Sequence, residues 1–401
     1  MQPTRTDILI SGGGVAGLSA AAAFGTAGFD VVVVDPAPPV TQGDAADADL
    51  RTTAFLQPSR DVLARAGLWE RLAPFAAPLQ VMQIIDAGGT EPVARVQKAF
   101  DAEDISDEPF GWNLQNWLLR REMLARVTEL PNVAFRAGVG TADVLTRATE
   151  ARVRLTDGSS VSAQLLIAAD GRNSPVREAL GIDVKTTRYG QKALAFAVTH
   201  PLPHDSVSTE IHRSGGPFTL VPLPDLDGQP RSAIVWMERG PEVQRLAALP
   251  VPEFEGEMNA RSTGLLGPLT LVSRRSVWPI ISQIAERFAG ERTALMAEAA
   301  HVVPPIGAQG LNMSLADLRL LLDLAEANRE TLGSPEMLAE YHRKRYPDVR
   351  TRIAGIDILN RASMAAAQPL RDARAQGLKA LYGLTPLRKS LMQAGLGTKG
   401  R

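Results

Sequence analysis

A chain of 401 residues is too long for one simple core, so two closely joined lobes are expected, large enough to bury a sizeable ligand. Charged residues make up 22% and the formal net charge is -1, which leaves no basic surplus for nucleic acid. The absence of Cys excludes disulfides, thiolate metal sites and a Cys nucleophile, and agrees with a reducing, cytoplasmic setting.

The apolar stretch from Ile8 to Phe24 is interrupted by Gly12, Gly13 and Gly14 and lacks a basic leader, so it reads as strand, turn and helix rather than a signal peptide. Asp7 to Ile10 is a short strand and Val15 to Gly28 a helix of small residues. Asp30 to Val34 is a β-branched run without polar alternation, the mark of a parallel strand covered on both faces. The turn of this βαβ unit, Gly12-Gly13-Gly14-Val15-Ala16-Gly17, fits Gly-x-Gly-x-x-Gly in the strand-to-helix context that a dinucleotide pyrophosphate requires. Gly12 permits the tight turn, Gly14 lets phosphate approach the backbone, and Gly17 allows close packing, while the helix start at Val15 and Ala16 favours negative charge. Asp35, 18 residues beyond Gly17, ends the second strand, where its carboxylate can accept hydrogen bonds from ribose hydroxyls.

Further along, Leu165 to Ala168 is another short apolar strand ending at Asp170-Gly171, and Thr293 to Met296 one more ending near Glu298. Between them the pattern from Lys192 to Trp236 changes to short, partly alternating strands (Leu194 to Val198, Val207 to His212, Phe218 to Val221, Ala233 to Trp236) separated by Pro-rich or Gly-Gly turns. This predicts an antiparallel sheet, joined by the region from Val81 to Val96. After Gln309, the four-three-four-three spacing of Leu311, Leu315, Leu318, Leu322 and Ala325 predicts an amphipathic helix. Pro335 to Arg401, rich in Arg, Ala and Leu, is expected to be helical. Its Leu378 to Leu396 stretch, with Arg388 and Lys389 among Leu and Met, has two readings, a membrane-surface helix and a helix packed on its own domain. No run of 18 apolar residues predicts a membrane span. The five His show no helical metal pair, so no metal is expected, and Trp112, Trp117 and Trp236 are read as packing residues.

The Gly-rich fingerprint alone does not separate NAD from FAD. Ala168-Ala169-Asp170-Gly171-Arg172-Asn173-Ser174-Pro175-Val176-Arg177 resembles the Asp-Gly motif of aromatic-ring flavin hydroxylases, and Ala297 to Asn312 resembles their second flavin-binding motif. The form His301-x-x-Pro304-Pro305-x-x-Ala308-Gln309-Gly310-x-Asn312, with Asp317 beyond it, is similar to the UbiH/UbiF-type hydroxylases of ubiquinone biosynthesis, themselves like para-hydroxybenzoate hydroxylase. The resemblance covers nearly the whole chain. Asp49 to Ala54, Asn116 to Leu124, Tyr341-x-x-x-Arg345-x-x-Asp348 and Asp357-x-Leu359-Asn360-Arg361 stand in family-like order.

The fold this implies is α/β: a Rossmann-like FAD-binding lobe (1–75, 105–180 and 275–330), an inserted antiparallel β-sheet substrate lobe (76–104 and 181–274), and a helical C-terminal region (331–401). The resemblance also implies that FAD is held by the fingerprint and Asp35, by Asp170 and Gly171, by Arg51 and Thr52 from a mobile loop, and by Arg120, for which Arg121 competes; ordinary surface ion pairing is the alternative reading for the Arg51-Thr52 segment and for Arg120. Glu298 would contact the ribityl chain. Gln309 and the Gly310-Leu311-Asn312 backbone would face the flavin pyrimidine edge, where amide N–H groups at a helix start stabilise the charge of reduced flavin. Pro304 and Pro305 would keep the loop beside the reactive flavin carbon rigid. Because the flavin carries the chemistry, no protein nucleophile is expected, and Pro305 is the best catalytic candidate, beside the peroxide site. His301 is expected to be structural, hydrogen-bonding the turn. Two departures stand out: Ala297-Glu298 replaces the usual Gly-Asp, and Ser314 stands where Gly is common.

The activity implied is aromatic-ring monooxygenation. Flavin reduced by NAD(P)H or another electron donor reacts with dioxygen, and the resulting peroxide transfers oxygen to an electron-rich, polyprenylated phenol. No second Gly-x-Gly-x-x-Gly follows a strand, so the reductant would bind transiently. Cytoplasmic placement with peripheral contact at the inner membrane, and contacts with other ubiquinone-biosynthesis proteins, go with this reading. The alternatives are a hydroxylase of a soluble phenol or polyketide and a non-catalytic FAD-holding accessory subunit.

Overall fold

The run Val31–Val34 is buried on both faces and lies inside a parallel sheet, as its unbroken β-branched pattern requires. In this computed structural model, residues 3–89, 91 and 93–397 are described. Residues 1–2, 90, 92 and 398–401, which belong to the expected lobes and C-terminal region, lie outside the described residues.

The sheet runs in the order Ala289–Gly290, Thr293–Leu295, Ser160–Ala168, Thr4–Ser11, Val31–Asp35, Val133–Ala137, and its four central pairings from Thr293–Leu295 to Val133–Ala137 are parallel. The hairpin Thr141–Thr146 and Ala151–Leu155 extends it in antiparallel fashion. Register brings the strand ends level. Ser11 pairs with both Ala168 and Val34, and Ala168 with Leu295, so the carboxyl ends of four strands finish side by side. The Val15–Thr26 helix packs against this sheet, with Ala20 to Ala23 almost fully buried because small side chains let it approach closely.

The second sheet has nine strands and is antiparallel except where Val81–Asp86 pairs in parallel with Val207–His212. That strand enters from the first lobe rather than through a hairpin, which removes the geometric demand for antiparallel pairing. The centre of the sheet is one long strand, Val184–Thr199, whose first half is largely exposed and so gives no apolar signal. It pairs with Gln229–Arg239 on one side and with Ser276–Ala285 on the other. Ser276–Ala285 therefore extends the second sheet beyond the 274/275 boundary expected from sequence. Its assignment depends on partners some ninety residues away.

One face of this sheet is covered by two helices that the sequence does not announce, Gly240–Ala248 and Val251–Arg261, the second setting Phe254 and Met258 on Phe196, Phe218 and Trp236. The opposite face carries Ala193 and Met237, against which Ile306 packs from the Pro304-Pro305 loop. A small third sheet, Thr52–Leu56, Gly111–Gln115 and Ala77–Leu79, stands beside the second. The C-terminal region is helical as expected: Pro335–Ser363, Gln368–Gly383 and Thr385–Leu396. Among the described residues no helix is long and apolar enough to cross a membrane.

Candidate functional site

The carboxyl edge of the parallel sheet is where an open α/β sheet takes ligands, because strand ends leave backbone groups and loops free there. Gly12, Asp35, Asp170 and the Ala297-Glu298 turn all stand at this edge, one at the end of each of four strands. Gly12 has a φ of 108° and a Cβ there would collide with the Ala169 carbonyl. A Cβ on Gly17 would collide with the Gly12 carbonyl oxygen. Those two glycines are demanded by the chain itself. Gly14 differs, since a Cβ there meets no described atom within 4 Å. Nothing in the chain requires glycine at that helix start, and the space beside it is open to a group lying against the backbone, as a pyrophosphate would.

Asp35 is already tied to the turn. Gly13 N–H donates to its Oδ2 at 2.5 Å and Ala37 N–H to its Oδ1 at 2.8 Å, so the carboxylate is preset, with lone pairs left for hydroxyl donors. Gly13 is not one of the fingerprint's specified glycines, yet a Cβ there would press to 2.8 Å on the Phe135 ring and 2.9 Å on Asp35. Asp170 accepts from Ser11 Oγ at 3.1 Å and from Val176 N–H at 3.3 Å. Its Oδ1 is buried with no partner among the described residues, and burial pushes its carboxyl above the ordinary range despite those bonds. Gly171 adopts a φ of 87°.

Arg51, expected on a mobile loop, is anchored instead. Its Nε and Nη2 donate to Asp49 at 2.8 and 2.7 Å, and its guanidinium stands 5.5 Å over the Trp278 ring from the second sheet. Burial works to raise the Asp49 carboxyl, but hydrogen bonds from Arg51 and Asn116 and the charges of Arg51 and Arg120 hold it below its usual range. Thr52 opens the Thr52–Leu56 strand beside it. Arg120 approaches Asp49 at 3.8 Å, and its Nε is buried with no partner among the described residues. Arg121 is engaged by Glu122 at 2.8 Å and lies over Phe75 and Trp117. Of the two, Arg120 is the one with a buried donor left unmet. Asp49 was visible in sequence only as part of a family-like string; its spacing of two residues from Arg51 was the available signal.

Glu298 is exposed, and its charge adds to that of Asp49 in raising the Arg51 guanidinium. The preceding Ala297 holds a left-handed backbone, φ 54°, at the position where the resembling motif has glycine. His301 is buried and structural, but it bonds Asp317 (2.7 Å) on the next helix rather than the turn itself. Asp317 in turn accepts from Ala297 N–H at 3.1 Å and from Arg345 Nε at 2.8 Å.

The Pro304-Pro305 loop leads through Ala308, left-handed at φ 56°, into the Gln309–Ala327 helix. Pro305 and Gly310 are exposed and Leu311 half-buried, so the helix start is open to solvent. Asn312 is buried. Its Oδ1 accepts from Leu56 N–H at 2.9 Å, and its Nδ2 donates to the Ala54 carbonyl at 2.7 Å, clipping the helix to the Thr52–Leu56 strand. Ser314 Oγ folds back on the Gly310 carbonyl at 3.2 Å. The Gln309 side chain turns away, donating to Gly307 and Gly395 carbonyls at 2.9 and 3.1 Å. Trp112, Trp117 and Trp236 pack as expected, Trp112 edge-on to Trp69 and Trp236 beside Phe218. Among the described residues no cluster is suited to a metal ion.

These residues fit a dinucleotide: a helix start open at Gly14, a preset Asp35, and unmet polar atoms on Asp170 and Arg120.

Comparison with known proteins agrees. The family model described as FAD binding domain matches residues 5–354. The chain is 33% identical to the ubiquinone hydroxylase UbiL of Rhodospirillum rubrum, covering 98% of this chain and 90% of that one. It is 25% identical to the 3-demethoxyubiquinol 3-hydroxylase of Escherichia coli, covering 98% of each. The crystal structure of p-nitrophenol 4-monooxygenase PnpA from Pseudomonas putida superposes with a TM-score of 0.79 at 18% identity, over 99% of this chain and 100% of that one, a likeness of fold.

Proposed function

The chain belongs to the FAD binding domain family, and from that premise we propose that it is an FAD-dependent monooxygenase hydroxylating the aromatic ring of a polyprenylated phenol in ubiquinone biosynthesis. The names of the Rhodospirillum rubrum and Escherichia coli relatives support the substrate class. When bound, FAD supplies two-electron storage and oxygen activation, with electrons from NAD(P)H or another donor. The chain's own residues bind, orient and exclude water. Gly14, Val15 and Ala16 would receive the pyrophosphate, Asp35 the ribose hydroxyls, Arg120 and Asp170 further polar groups of the nucleotide. Gly310, Leu311 and Asn312 would direct backbone N–H groups at the pyrimidine edge, with Glu298, Arg51, Thr52 and Pro305 around it. The first lobe thus takes the cofactor and the second sheet, through the face bearing Ala193 and Met237, the phenol.

The observation that carries this reading is the open space at Gly14 within a turn whose other glycines are sterically required. Gly14→Val should leave the apoprotein folded, within about 0.5 kcal/mol of the parent, while abolishing flavin absorbance and phenol-dependent NAD(P)H oxidation. A yellow, active Gly14→Val protein refutes it. For the substrate, deletion of the gene in its host should accumulate a prenylated phenol lacking one hydroxyl; an unchanged quinone profile, or activity confined to small phenols, favours a hydroxylase of soluble aromatics instead.

Peripheral membrane contact is part of the same proposal. Leu387 and Leu391, each 46% exposed, stand four residues apart on the last helix, and Leu384 just before it is 56% exposed, the pattern of a surface-lying apolar stripe. The protein should sediment with phospholipid vesicles and lose that property on Leu387→Asp/Leu391→Asp substitution.

A further inference from the structure

A cleft of about 320 Å³ opens on the second lobe between the end of the Gln229–Arg239 strand, the Val251–Arg261 helix and the Gln368–Gly383 helix. It lies on the side of the second sheet turned away from the Pro304-Pro305 loop. Trp236 packs with Phe218 and Phe254 on that side, whereas its neighbour Met237 points through the sheet toward Ile306. The sheet therefore separates this cleft from the dinucleotide edge.

Three hydrogen-bond donors on residues lining the cleft are buried and have no partner among the described residues: Arg261 Nη1, Trp236 Nε1 and Arg371 Nε. Arg261 is only 6% exposed and Trp236 4%. Folded chains seldom leave one such donor unmet, because its desolvation is uncompensated. Three around one cleft call for an acceptor supplied from outside the chain. One other nitrogen of each guanidinium is already placed, Arg261 Nη2 on the Gly216 carbonyl at 2.8 Å and Arg371 Nη2 on Gln368 at 2.6 Å, which holds both in position.

The local carboxylates do not answer them. Glu242 and Glu257 both accept from Arg245, at 2.6 and 2.9 Å. Glu238 accepts from the Arg239 backbone N–H at 2.9 Å, and burial pushes its carboxyl toward the neutral form. Arg213 adds a third guanidinium to the lining. Burial, helped by Arg213 and Arg374 nearby, outweighs the charge of Glu238 and pulls Arg261 down to about 10.

We propose that this cleft binds a small oxyanion, a carboxylate or phosphate group, gripped by Arg261 and Arg371 with the Trp236 indole N–H as a third donor. Its planar guanidiniums suit a two-oxygen acceptor. The bound anion would tie the C-terminal helix bearing Arg371 to the second lobe.

The FAD-loaded protein, labelled with ¹⁵N, is titrated at constant ionic strength with inorganic phosphate and, separately, with benzoate. The indole N–H resonance of Trp236 is assigned by its loss in Trp236→Phe. A saturable shift of that resonance is expected with one or both anions; phosphate alone or benzoate alone identifies the headgroup. The apparent Kd should rise at least tenfold in Arg261→Met and in Arg371→Met. Arg371 comes from a peripheral helix, so its variant carries the test alone if Arg261→Met does not fold. The Gly14→Val protein should titrate like the parent, which keeps this site independent of the flavin reading. Absence of a saturable shift, or a shift unaltered in Arg371→Met, overturns the proposal.

Discussion

At Ala297 a Cβ sits on a left-handed backbone of φ 54°, a conformation that disfavours any L side chain by about 1 kcal/mol or more relative to glycine. Ala297→Gly relieves this but adds freedom to the unfolded chain, so the net gain should be about 0.5–1 kcal/mol. Urea unfolding with an unchanged slope measures it; a loss of stability would show that the backbone at Ala297 is not strained. Gly17 gives the converse case. Its Cβ would meet the Gly12 carbonyl rather than a flexible side chain, so Gly17→Ala should cost the apoprotein about 3 kcal/mol, unlike the Gly14 variant. The contrast between two glycines three residues apart separates what the chain needs from what its ligand needs.

The Gln309–Ala327 helix begins at the site without a side-chain cap, so its position has to come from tertiary bonds. Asn312 supplies one set and Asp317 the other, joining His301, Arg345 and the Ala297 N–H around one fully buried carboxylate. Burial works to raise that carboxyl, but the His301 and Arg345 charges outweigh it and hold it below its ordinary value. A carboxyl depressed in the folded state stabilises the fold at pH above its unfolded value of about 4, and that contribution is lost as pH falls through the lower folded value. Asp317→Asn removes the buried carboxylate from Arg345, which keeps only the partly exposed Asp348 as a charge partner, at 2.6 Å, and should cost about 3 kcal/mol at neutral pH. The urea midpoint traced from pH 7 to 3 should show a lower plateau and a shallower acid limb than the parent; an identical acid limb would mean Asp317 does not drive it.

Over the whole molecule, the legible part of the sequence was the local part. The βαβ unit, the carboxyl-edge residues Gly12, Asp35 and Asp170, and the amphipathic helix after Gln309 are each written in a short window, and the structure has them in place. Ser276–Ala285 was misplaced because its home is decided by pairing with Val184–Thr199, and the exposed first half of that partner carries no pattern. The anchoring of Arg51 by Asp49 and Trp278, and the turning of Gln309 toward Gly395, likewise depend on residues from other elements. The same holds for the C-terminal helix pair, whose buried residues are only Ala375, Met392 and Leu396. With so little apolar burial, polar ties must hold it: Arg374 to the buried Asp86 at 2.8 Å, Arg388 to Asp104 at 3.1 Å, and Gln309 to Gly395. Asp86 keeps Arg95 at 2.6 Å if Arg374 is removed, so Arg374→Met should loosen the pair without exposing an unpaired charge. Losing a hydrogen bond to a charged group is worth about 1.5 kcal/mol, or roughly a tenfold rise in the open population. Proteolysis at the 364–367 link should quicken about tenfold while the urea midpoint of the two lobes hardly moves. Unchanged cleavage would mean that the helix pair is held by its few apolar contacts, and a matching fall in the midpoint that it is an integral part of the core.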